Sequence, residues 1–243
     1  MLGPRLRAAV ERLYQTFAGY PLVAVIEGCP CCSLETAERE LHAAPLRELP
    51  EQHVGYFAFK AMTTFGRVDD FRHFLPRIAE LISERGAADA CDLGIFTGKL
   101  SYGGFETWPD AERAAVAGWV DALWDDYLDD DTARGTFATV MLDAASFGSA
   151  PLEAWLTRWP SARSERAFDD LAQMVAATAS ASNSDGLAYR TKPWGAALER
   201  FLREDSTVAD AVRARAATSG SRDVALAVAL LDFPPFVPSS RGR

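Results

Sequence analysis

Three of the four cysteines in this chain stand within four positions, at Cys29, Cys31 and Cys32. Cys29 and Cys32 have the spacing of a CxxC pair, and Pro30 lies between them. Such a cluster can bind a soft metal ion, cycle between dithiol and disulfide, or serve as small buried apolar side chains. The residues alone leave these three alternatives open.

A zinc site is the first alternative. Structural zinc takes four Cys or His ligands in a tetrahedron, typically as two separated pairs, and this sequence shows one pair. The remaining ligands would have to come from Cys91, His42, His53 or His73, none of which forms a second pair. From these candidates, the metal set that we predict is Cys29, Cys32, His73 and Cys91, with zinc as its cofactor. If the thiols are not ligands, we expect no cofactor.

Thiol redox chemistry is the second alternative. Ser33 can cap a helix over residues 34–42, which places the CxxC pair at a helix N-terminus, where the helix dipole lowers a thiol pKa. The pair is superficially similar to the motif of thioredoxins. That fold also needs a sheet around the motif, and the residues after 42 have a helical pattern. A buried, chemically inert role for one or two of the cysteines fits better.

The charge and the apolar content of the chain limit which classes of molecule it can bind. The 243 residues carry a net charge of −9, and their arginines are scattered among acids, which argues against nucleic-acid binding. The N-terminus lacks the apolar region of a signal peptide, and no segment has the ~20 apolar residues that cross a bilayer. We therefore expect a soluble protein of the cytoplasm, a compartment in which thiols stay reduced. We expect its partner to be another protein.

The spacing of apolar residues predicts an all-α fold. Leu6, Val10, Leu13 and Phe17 follow helical periodicity in the first segment. Residues 22–27 suit either a short strand or an extended segment. The best architecture is a multi-helix bundle or an irregular stack of helical hairpins. Further helical patterns cover residues 51–65, 108–128, 133–146, 151–158, 164–179, 194–203, 206–217 and 222–231.

Helix-breaking residues give the expected boundaries. Because proline inside a helix costs about 3 kcal/mol, Pro76 predicts a turn at residues 70–74 and a helix that begins near the proline. The glycine-rich region from Gly94 to Gly104 predicts a break. We expect a single helical domain over residues 1–243, with a subdivision at about 94–108 and a frayed tail at 239–243.

Four short motifs follow one another in the first third of the chain: Cys29-Pro30-x-Cys32, Pro45-Leu46-Arg47-x-Leu49, Thr63-x-Phe65-Gly66 and Asp69-Asp70-Phe71-Arg72-His73-Phe74-Leu75-Pro76-Arg77. In this order they resemble the motifs of a bacterial family of uncharacterised helical proteins, over about residues 12–82. The resemblance implies that Cys29 and Cys32 are the pair to consider, that Cys31 is a local departure, and that the region around His73 is the other half of any shared site. It implies no activity or substrate.

The sequence has no Gly-x-Ser-x-Gly elbow, no Gly-rich phosphate loop with a lysine and no dinucleotide-binding fingerprint. The segment Gly94 to Ser101 comes nearest to a phosphate loop, but it is one residue short, and Leu100 stands where Ser or Thr must reach magnesium. The sequence therefore favours an interaction or scaffold module over an enzyme, with a thiol cluster in a structural role. Zinc binding or thiol redox chemistry through Cys29 and Cys32 is the alternative. The oligomeric state stays open.

The double substitution Cys29→Ser, Cys32→Ser separates the metal and redox hypotheses. If the pair ligates zinc, the variant should melt at a markedly lower temperature, because metal binding contributes folding free energy. If the pair is a solvent-facing redox couple, the melting temperature should hardly change. Equal melting temperatures of the wild type in chelator and in zinc-supplemented buffer would contradict the zinc hypothesis.

Overall fold

Helices provide the regular secondary structure of this protein, which confirms the all-α prediction. The structure is a computed structural model that describes residues 2–29, 35–85, 91–129, 138–180 and 188–232. Within these ranges there are twelve α-helices, several short 3-10 turns and no strand. The α-helices are α1 Pro4–Phe17, α2 Glu35–Leu41, α3 Glu51–Lys60, α4 Val68–Arg85, α5 Leu93–Tyr102, α6 Asp110–Asp129, α7 Ala138–Ala144, α8 Leu152–Leu156, α9 Glu165–Ser180, α10 Gly195–Glu204, α11 Ser206–Ala216 and α12 Arg222–Asp232.

Residues 22–27 form an irregular segment. Of its β-branched residues, Ile26 is buried while Val23 and Val25 are exposed. The nearest strand-like feature is one isolated antiparallel bridge between Gly28 and Phe65. The alternative of a short strand is therefore wrong, because that bridge lies just after residues 22–27 and the described part of the chain contains no strand that could pair with them.

The chain divides into two units. The first contains α1 to α5, most of α6 and Asp143–Ala150, and the second contains most of α7 and all of α8 to α12. The change falls after Tyr127, and residues 94–108 lie inside the first unit. The number of independently folding domains stays a prediction, and the tail at 239–243 lies outside the described residues.

The core of the first unit forms around α4, which packs against α1 and α3. The apolar stripe expected on α1 is buried. The Phe57 and Phe74 rings lie 4.5 Å apart between α3 and α4, and Phe65 packs edge-on against Phe57. These contacts fix the C-terminal end of α3, which positions the site described below.

Pro76 lies inside α4, so the predicted turn at residues 70–74 is wrong. Pro76 is buried, and so are Phe74, Leu75 and Ile78. Burial of one large apolar side chain contributes about 1.5–3 kcal/mol, so a few of them together outweigh the roughly 3 kcal/mol that an interior proline costs. Tertiary packing therefore decides the conformation here.

The glycine-rich region also differs from its prediction, because residues 93–102 form α5. Asp92 caps this helix by accepting a hydrogen bond from the Ile95 amide at 2.9 Å. Phe96 and Leu100 are buried on it and anchor it in the core. Conversely, the helix predicted over residues 51–65 ends at Lys60 and leaves a turn at 61–65.

In the second unit, α9 packs against α12 and α10, and α11 packs against α12. The predicted helical patterns at 164–179, 194–203, 206–217 and 222–231 match α9 to α12 to within one residue at each end. None of the helices in the described ranges is long and apolar enough to span a bilayer.

Candidate functional site

Cys29 lies half-buried beside the turn at residues 61–65, which we call the 61–65 turn. Its amide donates to the Thr64 carbonyl at 2.8 Å, next to the bridge between Gly28 and Phe65. On the other side of the bridge, the Gly66 amide donates to the Glu27 carbonyl at 2.6 Å. The backbone that leads into the cysteine cluster is thereby fixed to the turn. Cys31 and Cys32 lie outside the described residues.

The 61–65 turn is tight and partly strained. Met62 has φ 61°, in the left-handed region that side chains other than glycine rarely adopt. Its amide donates to the Phe65 carbonyl at 3.0 Å, and the Lys60 carbonyl accepts from the amides of Thr63, Thr64 and Phe65. The backbone at Met62 costs on the order of 1–3 kcal/mol, so surrounding contacts must hold it in place.

Lys99 of α5 supplies one of those contacts. Its side chain is 9% exposed, and its Nζ donates to the Ala61 carbonyl at 2.6 Å and lies 3.5 Å from the Thr63 hydroxyl. Burial, with a smaller effect of nearby Lys60, lowers the pKa of Lys99. Ala61 follows the last residue of α3, where the helix dipole is negative, so the ammonium lies where a cation is stabilised.

The Thr64 side chain provides a second buried polar group in this turn. The Thr64 hydroxyl oxygen is inaccessible to solvent and lacks a hydrogen-bond partner among the described residues. An unsatisfied buried hydroxyl costs about 1–3 kcal/mol. The turn that holds the Cys29 backbone therefore accepts a hydrogen bond from a buried ammonium group and contains a buried hydroxyl that is unsatisfied among the described residues.

His73 contacts the loop after α1. Its Nδ1 lies 2.7 Å from the Tyr20 carbonyl oxygen, and its ring packs edge-on against Phe74. The Tyr20 hydroxyl donates to Glu112 at 2.6 Å, and the Arg72 guanidinium lies over the Trp108 ring. These contacts join α4, α6 and the loop within the first unit, and they suit the structural role of a hydrogen-bonded imidazole.

Cys91 is 2% exposed at the start of α5. Burial first, and then the charge of Glu51, raise the pKa of its thiol to about 12, against a smaller lowering by Arg77. The thiol is therefore protonated at neutral pH and is a poor nucleophile, because the thiolate is the reactive species.

The four predicted metal ligands have separate surroundings where the structure describes them. No group of three or more His, Cys, Asp or Glu side chains in the described ranges could hold a metal ion. Cys32 lies outside those ranges. The metal hypothesis for Cys29, Cys32, His73 and Cys91 thus stays a prediction.

Exposed aromatic side chains form the other unusual feature of this region. Tyr56 and Phe59 of α3 are 43% and 58% exposed, and Tyr102 at the end of α5 is 64% exposed. We call these three residues the aromatic set. The Lys99 bond to Ala61 ties the ends of α3 and α5 together, and Met62 Sδ would lie 3.2 Å from a Cβ placed at Gly103. Phe59 and Tyr102 therefore lie near the C-terminal ends of α3 and α5, which the Lys99–Ala61 hydrogen bond links, and Tyr56 lies one helical turn before Phe59.

Lys99 and the aromatic set were missed as functional candidates from the sequence. A signal existed for Lys99, since it is the only charged residue within the apolar run of α5. For α3, Tyr56 and Phe59 lie three residues apart and off the face formed by Val54, Phe57 and Ala58. Periodicity could therefore have assigned them to the outer face.

Comparison with known proteins adds no relative. No protein-family model matches the chain, and no curated protein or solved structure is similar enough to count as a match. The candidate site is therefore argued from its own geometry.

The raised pKa of Cys91 predicts a specific pH dependence of stability. The unfolded thiol loses its proton near pH 9.0 and the folded one near 12, so rising pH favours the unfolded chain in this window. Wild type should lose stability relative to Cys91→Ala between pH 9 and 12, by at most about 1.4 kcal/mol per pH unit. Urea unfolding of both proteins from pH 8 to 11 measures the difference, and tyrosine titration is common to both. A constant difference would contradict burial of the thiol.

Proposed function

We propose that this protein is a helical interaction module that binds a protein partner through the aromatic set, with Cys29 in a structural position beside it. The observation that carries the proposal is the exposure of Phe59 and Tyr102 on two helix ends that the 61–65 turn and Lys99 hold together. Aromatic residues are enriched at protein interfaces, and tyrosine is one of the residue types that are enriched at interface hot spots.

The energetics support such a contact. Burial of one large apolar side chain stabilises a complex by about 2 kcal/mol, and aromatic rings lose little conformational entropy on binding. The turn that follows α3 is rigid because the Lys60 carbonyl accepts three amide hydrogen bonds and Lys99 binds the Ala61 carbonyl. A preorganised surface spends less of its binding free energy on ordering.

The charge of the chain suggests which partners are disfavoured. A net charge of −9 repels nucleic acid, and it favours a protein whose contact rim is basic. A cytoplasmic location belongs to the same proposal, as does membership of the bacterial family that the Cys29 and His73 motifs resemble.

Thiol or zinc chemistry at Cys29 and Cys32 is the second candidate function. One observation favours it: the Cys29 backbone is fixed against the same turn that binds the Lys99 ammonium. A cation close to a thiol stabilises the thiolate, which is the form that attacks disulfides and ligates zinc, so this version requires the Cys29 thiol to lie near Lys99. Zinc is the cofactor that this version would require.

Site-specific photo-crosslinking tests the interaction module. A benzoylphenylalanine placed at Phe59, and separately at Tyr102, should give one discrete adduct with a protein in cells. The matched control is the same residue at Arg222, which is exposed on α12 in the second unit. Tyr56→Ser should weaken the adduct formed at Phe59, since Tyr56 is exposed one helical turn away.

The thiol variant distinguishes the two candidates. Cys29→Ser should leave the adduct unchanged if the aromatic set alone binds the partner. An adduct at Phe59 no stronger than at Arg222 would contradict the interaction module. Loss of the adduct in Cys29→Ser, with the fold retained by circular dichroism, would favour the thiol or zinc function instead.

A further inference from the structure

A groove of about 460 Å³ lies in the second unit, and none of its lining residues belongs to the candidate site. It runs between α8 and α10 and reaches the start of α11. Its volume falls in the range of about 300–1,000 Å³ that is typical of small-molecule sites. Its lining includes Glu153, Leu156, Ala197, Arg200, Phe201, Glu204 and Asp205.

The groove combines an apolar part with a charged one. Leu156 and Phe201 are largely buried in the core and contribute apolar surface together with Ala197. The lining also holds three carboxylates and one guanidinium. A ligand that fills this groove therefore needs an apolar body and a polar or charged group.

The charges that remain for a ligand are mostly negative. Asp205 is already engaged, because its Oδ1 accepts from the Thr207 amide at 2.9 Å and from the Thr207 hydroxyl at 2.6 Å. Within the described ranges, Glu153 and Glu204 have no ion-pair partner, and Arg200 is the one cation of the lining. Two uncommitted carboxylates against one guanidinium favour a cationic group over an anionic one.

We propose that this groove binds a small organic cation, a primary amine attached to an aromatic or branched apolar body. The apolar body lies against Leu156, Ala197 and Phe201, and the ammonium group binds Glu153 and Glu204. This site is independent of the aromatic set, which belongs to the first unit.

Three compounds with one indole body test the proposal on the full chain by isothermal titration calorimetry at pH 7. Tryptamine carries an ammonium group, tryptophol is neutral and indole-3-propionate is anionic. We expect tryptamine to bind about tenfold tighter than indole-3-propionate, with tryptophol between them. High salt should weaken the tryptamine complex selectively, because it screens the charge contact.

Variants assign the effect to the groove. The double variant Glu153→Gln, Glu204→Gln should bind tryptamine and tryptophol equally, because it removes the charges that attract the ammonium group. The variant should fold like the wild type, since both side chains are exposed and the substitutions spare the core. Asp210→Asn, an exposed carboxylate of α11 outside the lining, should bind tryptamine like the wild type. Equal affinity for all three compounds, tightest binding of indole-3-propionate, no binding of tryptamine at millimolar concentration, or a tryptamine preference that survives the double substitution would each overturn the proposal.

Discussion

The contact between the Lys99 ammonium and the Ala61 carbonyl is the interaction on which the candidate site depends. A buried lysine loses hydration, which lowers its pKa and works against its charged form. The negative end of the α3 dipole and a charge-assisted hydrogen bond of 2.6 Å offset that loss. Such a bond contributes about 1.5–3 kcal/mol, comparable to the strain at Met62. The lysine contact therefore offsets the free-energy cost of the left-handed backbone conformation at Met62.

The 61–65 turn connects features that lie far apart in the sequence. Through backbone hydrogen bonds it holds the segment that ends at Cys29, and through Lys99 it joins α3 to α5. The exposed rings of Phe59 and Tyr102 stand at those two helix ends. The same turn is thus hydrogen-bonded to the backbone of Cys29 and to the helices that carry the exposed rings. A partner that binds the rings would therefore contact a preorganised region.

Local sequence pattern predicted the helices well and the turn poorly. The stripe of α1 and the bounds of α9 to α12 follow from periodicity alone, because each element buries one face. The same reasoning wrongly predicted breaks at Pro76 and at the glycines of α5, because long-range packing of buried residues such as Phe74 and Phe96 outweighs local propensity. It could not predict the role of Lys99, because its partner, Ala61, is 38 residues away. The cysteine cluster was recognisable by residue type, but its contact with Thr64 was not.

Amide hydrogen exchange tests the role of Lys99 most directly. In Lys99→Met, the amides of Cys29, Met62 and Gly66 should exchange about tenfold faster than in the wild type, because the turn that accepts or supports their hydrogen bonds opens more often. Lys60→Met, which removes a neighbouring lysine side chain but keeps the Lys99 bond, should not accelerate exchange at these amides, and the Val212 amide in the second unit serves as an internal reference in both variants. Unchanged exchange at Cys29, Met62 and Gly66 in a folded Lys99→Met protein would contradict the account.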